Sequence, residues 1–507
     1  GSEMCIRDRR KTAMKKIVIV GGGISGLTSG IFAQKYGFES IVLEKNSVAG
    51  GVCTGWDRQG SHIDGCIHWL TGTKKDTELY DLWCEVGALD GIDIINLDYY
   101  YMFEYDVKKI CFYNDYNKLR EELLSVSAED SELIDEFISA CKAVESIEMP
   151  TSKPMDMMSI IDMMKLGKKM MSGFGSMKKY SAVSCKEFAE RFKSPILQKV
   201  FRSFMPDNYS ISQVMFSYAT IVSGNGGIPV GGSKAMAMRM ADKYKSLGGQ
   251  LRLNTSVDEI IIKDGKAVGV KLQNGDIIDA DYVISACDAN VTLQKLLRGK
   301  YVDKQLQPYY DDLENNPLQS NVLVAFAVDG DVSNLPISFI FDSEKYEIAG
   351  KTEDRVGMRV YSYDKSLVKN GKTTITSYIS QNTQQFDYWK KLYENKEAYK
   401  AEKMRIAEEI LKRILKHFPE LEGRIKIIDV ATPATYERYC GAYKGSWMSF
   451  MSTPKSKQSQ GHNGKIDGID NFQISGQWIY SPGGLPCAVA TGKFAVQRIC
   501  KAEKIKL

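Results

Sequence analysis

Histidine is scarce in this chain, with four in 507 residues. Neither these four nor the 11 cysteines form a CxxC pair or a Cys/His cluster at zinc spacing, so no metal site is expected. No nucleophile and base stand in a spacing that suggests a hydrolytic triad. The cysteines are odd in number and scattered singly from Cys5 to Cys500. With no signal peptide, that pattern fits free thiols in a reducing compartment, and a cytoplasmic location is expected. No run of eighteen apolar residues exists, which excludes an ordinary membrane-spanning helix. The charge of either sign is not in excess: 67 basic against 63 acidic residues leave +4. That balance gives no footprint for a nucleic-acid partner. Internal repeats and low-complexity linkers are absent, and the sequence leaves the oligomeric state open.

What is present is a long globular chain. At 507 residues it exceeds one compact core, so two or three packed units are expected. The first thirteen residues, GSEMCIRDRRKTA, look like a non-native leader, with a natural start at Met14. Lys16–Val20 reads as a buried parallel strand, 24–36 as a helix closed by Gly37, and 40–43 as a second strand. Helical segments from 77 to 144 surround a strand pair near 100–113. A helix begins near Lys234. Strands follow at 250–253 and 257–263, then a hairpin turns at Asn274-Gly275 and a strand covers 282–286. Strands at 320–328 and 373–379 suggest a second sheet. An amphipathic helix covers 397–417, and the chain ends in a strand at 472–475 and a helix over 488–501.

The stretch VIVGGGISGLTSGIFAQKYGFESIVLEK, Val18–Lys45, carries the first chemistry. Gly21, Gly23 and Gly26 make G-x-G-x-x-G between a strand and a helix, and Glu44 ends the next strand 18 residues after Gly26. Gly21 suits the tight turn and Gly23 the close approach of a pyrophosphate. Gly26 and Gly30 let the helix lie close to the sheet. The N–H groups near Ile24 and Ser25 face the phosphate charge. Glu44 can accept from ribose hydroxyls and repels a 2′-phosphate, which disfavours NADP. The turn alone leaves FAD and NAD open.

Two further stretches carry a family resemblance. AGGVCTGWDRQGSHIDGCIHWL, Ala49–Leu70, follows Glu44, and ISGQWIYSPGGLPCAVATGKFAVQRI, Ile474–Ile499, closes the chain. With the first motif, and with segments 228–288 and 432–446, they resemble the FAD-dependent family of phytoene desaturases, carotenoid isomerases and retinol saturases. The resemblance implies an α/β fold. It consists of a Rossmann-like FAD-binding domain of the glutathione-reductase/amine-oxidase type with an inserted α+β substrate domain. Residues 14–115, 221–300 and 440–507 would form the first, and 116–220 and 301–439 the second. It further implies FAD as cofactor, with Gly21, Gly23 and Gly26 on the diphosphate and Glu44, beside Lys45, on the adenosine ribose. Gly50 and Gly51 would lie under the cofactor, and Val257 would meet adenine through its main chain. Gly476, Gly484 and Leu485 would meet the ribityl and flavin end. One position departs: Val52 stands where many relatives have arginine, so one charge-assisted contact is missing.

The same resemblance places His68 on a segment approaching the flavin, where it would donate or accept a proton, or else be an imidazole satisfied by the backbone. The His68-Trp69 pair resembles the retinol saturase branch, which favours reduction or isomerisation over desaturation. Met155–Met171 holds seven of the 21 methionines. As a helix it groups Met157, Ile160, Ile161, Met164 and Met171 on one side, with Lys165, Lys168 and Lys169 mostly elsewhere. It reads as a core helix, a pliable channel wall, or a helix lying on the inner face of a membrane. Tyr436, Tyr439 and Tyr443 line a substrate cavity or simply pack. The middle region is rich in Met, Phe and Tyr and shows no charge pair for an ionic substrate. The expected activity is therefore FAD-dependent redox or isomerisation at carbon–carbon bonds of a long apolar substrate. An amine oxidase and a non-enzymatic prenyl-lipid-binding protein of the same fold are the alternatives.

Overall fold

The computed structural model describes residues 14–456 and 461–507; the expected leader, Gly1–Ala13, lies outside the described residues. Lys16–Val20 is the central strand of a parallel five-stranded sheet. Its order is Gln250–Arg252, Glu39–Leu43, Lys16–Val20, Tyr282–Ser285, Phe472–Ile474. Ile17, Val18 and Ile19 are wholly buried, as expected of a strand covered on both faces. The helix Ile24–Lys35 and the C-terminal helix Leu485–Ala502 cover one face. They approach closely because residue 492 is glycine: a Cβ there would lie 2.4 Å from the Ser25 carbonyl oxygen. Gly30 acts differently from the expectation, since its Cβ would strike Tyr244 at 2.7 Å. It brings the first helix against the helix Gly232–Ser246 rather than against the sheet.

The second sheet has seven strands. Its order is Ile425–Ala431, Ser320–Asp329, Lys372–Gln381, Lys351–Val360, Ser338–Ile348, Tyr99–Tyr105, Lys108–Tyr113. The boundary expected at residue 115 therefore differs from the structure. The strand pair 99–113 belongs to the inserted domain's sheet, where Phe339 pairs in parallel with Met102. Over this sheet a helical layer packs an aromatic core that includes Phe103, Phe112, Phe137, Phe201 and Tyr218. The C-terminal helix starts at Leu485, three residues earlier than the sequence suggests, because Pro486 fits its first turn.

The methionine-rich segment divides: Met155–Met157 forms a short 3-10 turn, and the α-helix covers Ile160–Ser181, so Met157 does not share its face as expected. Ser159 opens it with a reciprocal cap to Asp162. It is not a core helix. Ile160 (73%), Ile161 (65%), Met164 (70%) and Met171 (70%) are exposed, and only Met170, Gly173 and Tyr180 are buried.

Candidate active site

The glycine turn is built as a cradle. The Gly21 N–H donates to the Leu43 carbonyl at 2.8 Å, and Gly21 has φ +102, a conformation that favours glycine. A Cβ on Gly26 would sit 1.9 Å from the Gly21 carbonyl oxygen, so this glycine lets the helix start close under the turn. Gly23 is the opposite case: a Cβ there meets nothing closer than 3.8 Å. Its open side is where a ligand can come against the backbone. Gly23 also precedes the helix with no side-chain cap, which leaves the first N–H groups, near Ile24 and Ser25, to an anion. The Gly50 N–H donates to the Gly22 carbonyl at 2.8 Å, and Gly51 packs on Gly23.

Glu44 is buried at the end of its strand. One carboxylate oxygen accepts from the Gly22 N–H at 2.8 Å and the other from the Asn46 N–H at 2.9 Å. A carboxylate has further lone pairs for ribose hydroxyls. The Thr255 N–H donates to the Glu44 carbonyl at 2.8 Å, which brings the Val257 strand beside it. Lys45 reaches the Arg438 carbonyl at 3.2 Å and lines the same end of the cavity as Val52. The C-terminal motif joins directly: Ser25 Oγ donates to Ser475 Oγ at 2.8 Å. Gly476 and Gly484 both have positive φ, and with Leu485 they line the cavity. Of the thirteen residues expected at the cofactor, twelve line one cavity, and Gly26 lies behind it, packed against the Gly21 carbonyl. Their cradle, capless helix and carboxylate fit an adenine dinucleotide.

The cavity, about 1240 Å³, continues past this end between the two domains. Tyr100, Phe204 and Met205 line it, as do Phe174 and Met177 of the methionine-rich helix. The His68 ring lines it too, edge-on to Tyr378 with centroids 4.6 Å apart. Enclosure, and secondarily the charge of Arg359, push the His68 pKa from 6.5 down to about 3. The ring is therefore held in its neutral form, and its Nε2 has no hydrogen-bond partner. Tyr436 and Tyr443 line the cavity, whereas Tyr439 is exposed. The other histidines hold carboxylates, His62 with Asp57, His417 with Glu104 and His462 with Asp303.

Two groups in the cavity were not singled out from sequence. Asp288, just after the strand Tyr282–Ser285, accepts from the Tyr443 and Asn290 N–H groups, each at 2.8 Å. Burial nonetheless pushes its carboxyl up to about 7. Arg359, on the strand Lys351–Val360, is buried and lines the cavity. Its sequence signal was slight: one arginine between Met358 and Val360. It places one buried positive charge in a cavity whose middle segments are otherwise rich in Met, Phe and Tyr. Among the described residues, no group of three or more His, Cys, Asp or Glu side chains could hold a metal ion.

Comparison with known proteins fits this geometry. The chain is 24% identical to the neurosporene-forming phytoene desaturase of Rhodobacter capsulatus, over 97% of this chain and 95% of that protein. It is 23% identical to the chloroplastic prolycopene isomerase of Daucus carota, over 95% and 79% of the two chains. It is also 23% identical to the all-trans-retinol 13,14-reductase of Danio rerio, over 84% and 76%. Among solved structures, an oxidoreductase from Methanosarcina mazei superposes with a TM-score of 0.59 at 16% identity, covering 95% of this chain and 100% of that one. Putrescine oxidase superposes with a TM-score of 0.59 at 16% identity, covering 96% and 99%. The flavin containing amine oxidoreductase family matches residues 24–500. The chain belongs to that family and is an FAD-dependent oxidoreductase.

Proposed function

We propose that this enzyme reduces, isomerises or desaturates carbon–carbon bonds of a long polyene or other unsaturated lipid. The observation that carries this reading is the continuous cavity from Gly23 to Phe174 and Met177. Its volume, about 1240 Å³, leaves room for an apolar chain beside a dinucleotide, and aromatic and methionine side chains such as Tyr100, Phe204, Met205 and Met177 line it. FAD, when bound, supplies the hydride acceptor or donor. The chain's own part is to orient: Gly21, Gly23, Gly26 and Glu44 fix one end, and the apolar walls align the reacting carbon by shape and exclude water. The relatives named for phytoene, prolycopene and retinol support the substrate class. A neutral His68 gives no reason to favour reduction over desaturation. The amine oxidase alternative fares worse, because a substrate ammonium would meet the Arg359 cation. The test is anaerobic incubation of oxidised and reduced enzyme with carotenoids, retinol and unsaturated fatty acids. Double-bond change or flavin redox change with at least one supports the reading; turnover of amines alone defeats it.

We also propose that the substrate is taken from the inner face of an anionic membrane by the helix Ile160–Ser181. Its exposed apolar side chains stand beside Lys165 and Lys168, and the same helix sends Phe174 and Met177 to the cavity. No helix of the described residues is long and apolar enough to cross a membrane.

A further inference from the structure

Arg359 is 6% exposed and its guanidinium remains charged at any pH a protein meets. Its known partners are all neutral. Nη1 donates to Ser338 Oγ at 3.0 Å and Nη2 to the His68 carbonyl at 2.8 Å. The rings of Tyr363 and Tyr361 lie 5.2 and 6.0 Å from the guanidinium carbon. Nε has no partner. No carboxylate among the described residues forms an ion pair with it, although five line the cavity. Those five are otherwise engaged. Glu44 and Asp288 accept backbone N–H groups, as does Glu78, from Thr151 and Ser152. Glu148 pairs with Lys169 and Glu437 with Lys390. A buried cation without a counter-charge is costly, and tyrosine faces offset only part of that.

The contacts of Arg359 come from the inserted domain's sheet and from the segment at His68. None comes from the glycine cradle or the C-terminal motif. The cavity that Arg359 lines is the one in which the polyene reading places the substrate. An anionic end group in the cavity that Arg359 lines would supply the missing counter-charge through charge-assisted hydrogen bonds.

Resting on the polyene reading above, we propose that the substrate carries a carboxylate. Arg359 seats that group, while the hydrocarbon chain runs along Tyr100 and Phe204 toward Met177. The substrate class narrows to unsaturated acids, whether fatty acids or polyene acids, and away from pure hydrocarbons and alcohols. His68 contributes its main-chain carbonyl, which helps to hold the guanidinium in place beside the cavity.

The test is binding to the purified flavoprotein of three probes with one polyunsaturated C20 chain: the acid, its methyl ester and its alcohol. Flavin absorbance perturbation and equilibrium dialysis are the readouts. The wild type should bind the acid at least 10-fold tighter than the ester or alcohol. Arg359→Gln should lose that preference and keep the ester's affinity, and Arg359→Lys should retain part of it. Equal binding of acid and ester by the wild type overturns the inference and leaves the polyene reading standing. Binding of none of the three removes both. If Arg359→Gln weakens acid and ester alike, or shifts the flavin reduction potential while the acid preference persists, the guanidinium serves the fold or the cofactor instead. Should Arg359→Gln not accumulate as folded flavoprotein, the wild-type comparison and Arg359→Lys decide the matter.

Discussion

Arg359 Nη2 donates to the main-chain carbonyl of His68 at 2.8 Å, so the inserted domain's sheet is tied to the segment that follows the nucleotide-binding unit. One consequence is electrostatic. The imidazole already disfavours a proton because it is enclosed, and the guanidinium disfavours it further. The one histidine in the cavity is therefore uncharged near neutral pH.

That neutral state has a pH signature. The His68 imidazole titrates near 6.5 when unfolded and near 3 when folded. Between these values the unfolded chain binds a proton that the folded chain does not. Stability therefore falls as pH drops from 6.5 toward 3, with a slope of up to about 1.4 kcal/mol per pH unit from this group. Urea midpoints of His68→Gln at pH 7.5 and 5.0 should lie closer together than those of the wild type. An unchanged spacing would mean that the ring titrates in the fold as it does in water.

The glycines of the cradle separate into two kinds, and substitutions should separate them too. Gly23→Val finds open space, so the apo-protein should fold with the stability of the wild-type apo-protein but lose the flavin absorbance bands and the stabilisation that bound FAD confers. Gly26→Ala drives a Cβ toward the Gly21 carbonyl oxygen and should cost about 1–3 kcal/mol or more in the apo-protein itself. If Gly23→Val keeps full flavin occupancy, the pyrophosphate lies elsewhere.

The nucleotide-binding half was legible because local patterns carry it. Strand, glycine turn and helix lie within 18–45, and each residue there is chosen by its immediate neighbours. The sheet of the inserted domain is not local. Ser338–Ile348 contains Asp342, Ser343, Glu344 and Lys345, and its register shifts between Asp342 and Tyr346, so no clean alternation marks it. The pair 99–113 was visible as a hairpin, but its parallel partner begins more than 200 residues later. Arg359 was hidden for a related reason: a lone arginine in a strand reads as a solvent-facing residue until the tertiary structure closes a cavity over it. The methionine-rich helix kept three readings open because periodicity finds an apolar face and cannot say what meets it.

The membrane proposal rests on that face. Each basic residue near an anionic surface contributes about 1 kcal/mol. Lys169 already pairs with Glu148 at 2.7 Å, so Lys165 and Lys168 should carry most of the effect. The triple variant Lys165→Glu, Lys168→Glu, Lys169→Glu should sediment with phosphatidylserine liposomes at least 10-fold more weakly than the wild type, and added salt should weaken the wild type in the same direction. Equal binding by both proteins, or by neither, rules out this helix as the docking surface.

The far wall of the cavity should control access for long substrates. Met177 lines the cavity on the same helix that exposes Phe174 and Met171. Methionine is the pliable choice for a wall that a chain must slide past. Met177→Trp puts a larger, stiffer ring in that position, on a helix that contributes no residue to the glycine cradle or the C-terminal motif. FAD content and dithionite reduction of the flavin should therefore stay at wild-type levels. For a substrate reaching the helix, kcat/KM should fall at least 10-fold. A truncated analogue with the same reacting double bond should be turned over by variant and wild type at similar rates. The split matters, because a general disturbance of the fold would lower both rates and the flavin content together. If long and truncated substrates respond alike while flavin content is normal, the chain does not pass Met177, and the substrate enters the cavity by another side.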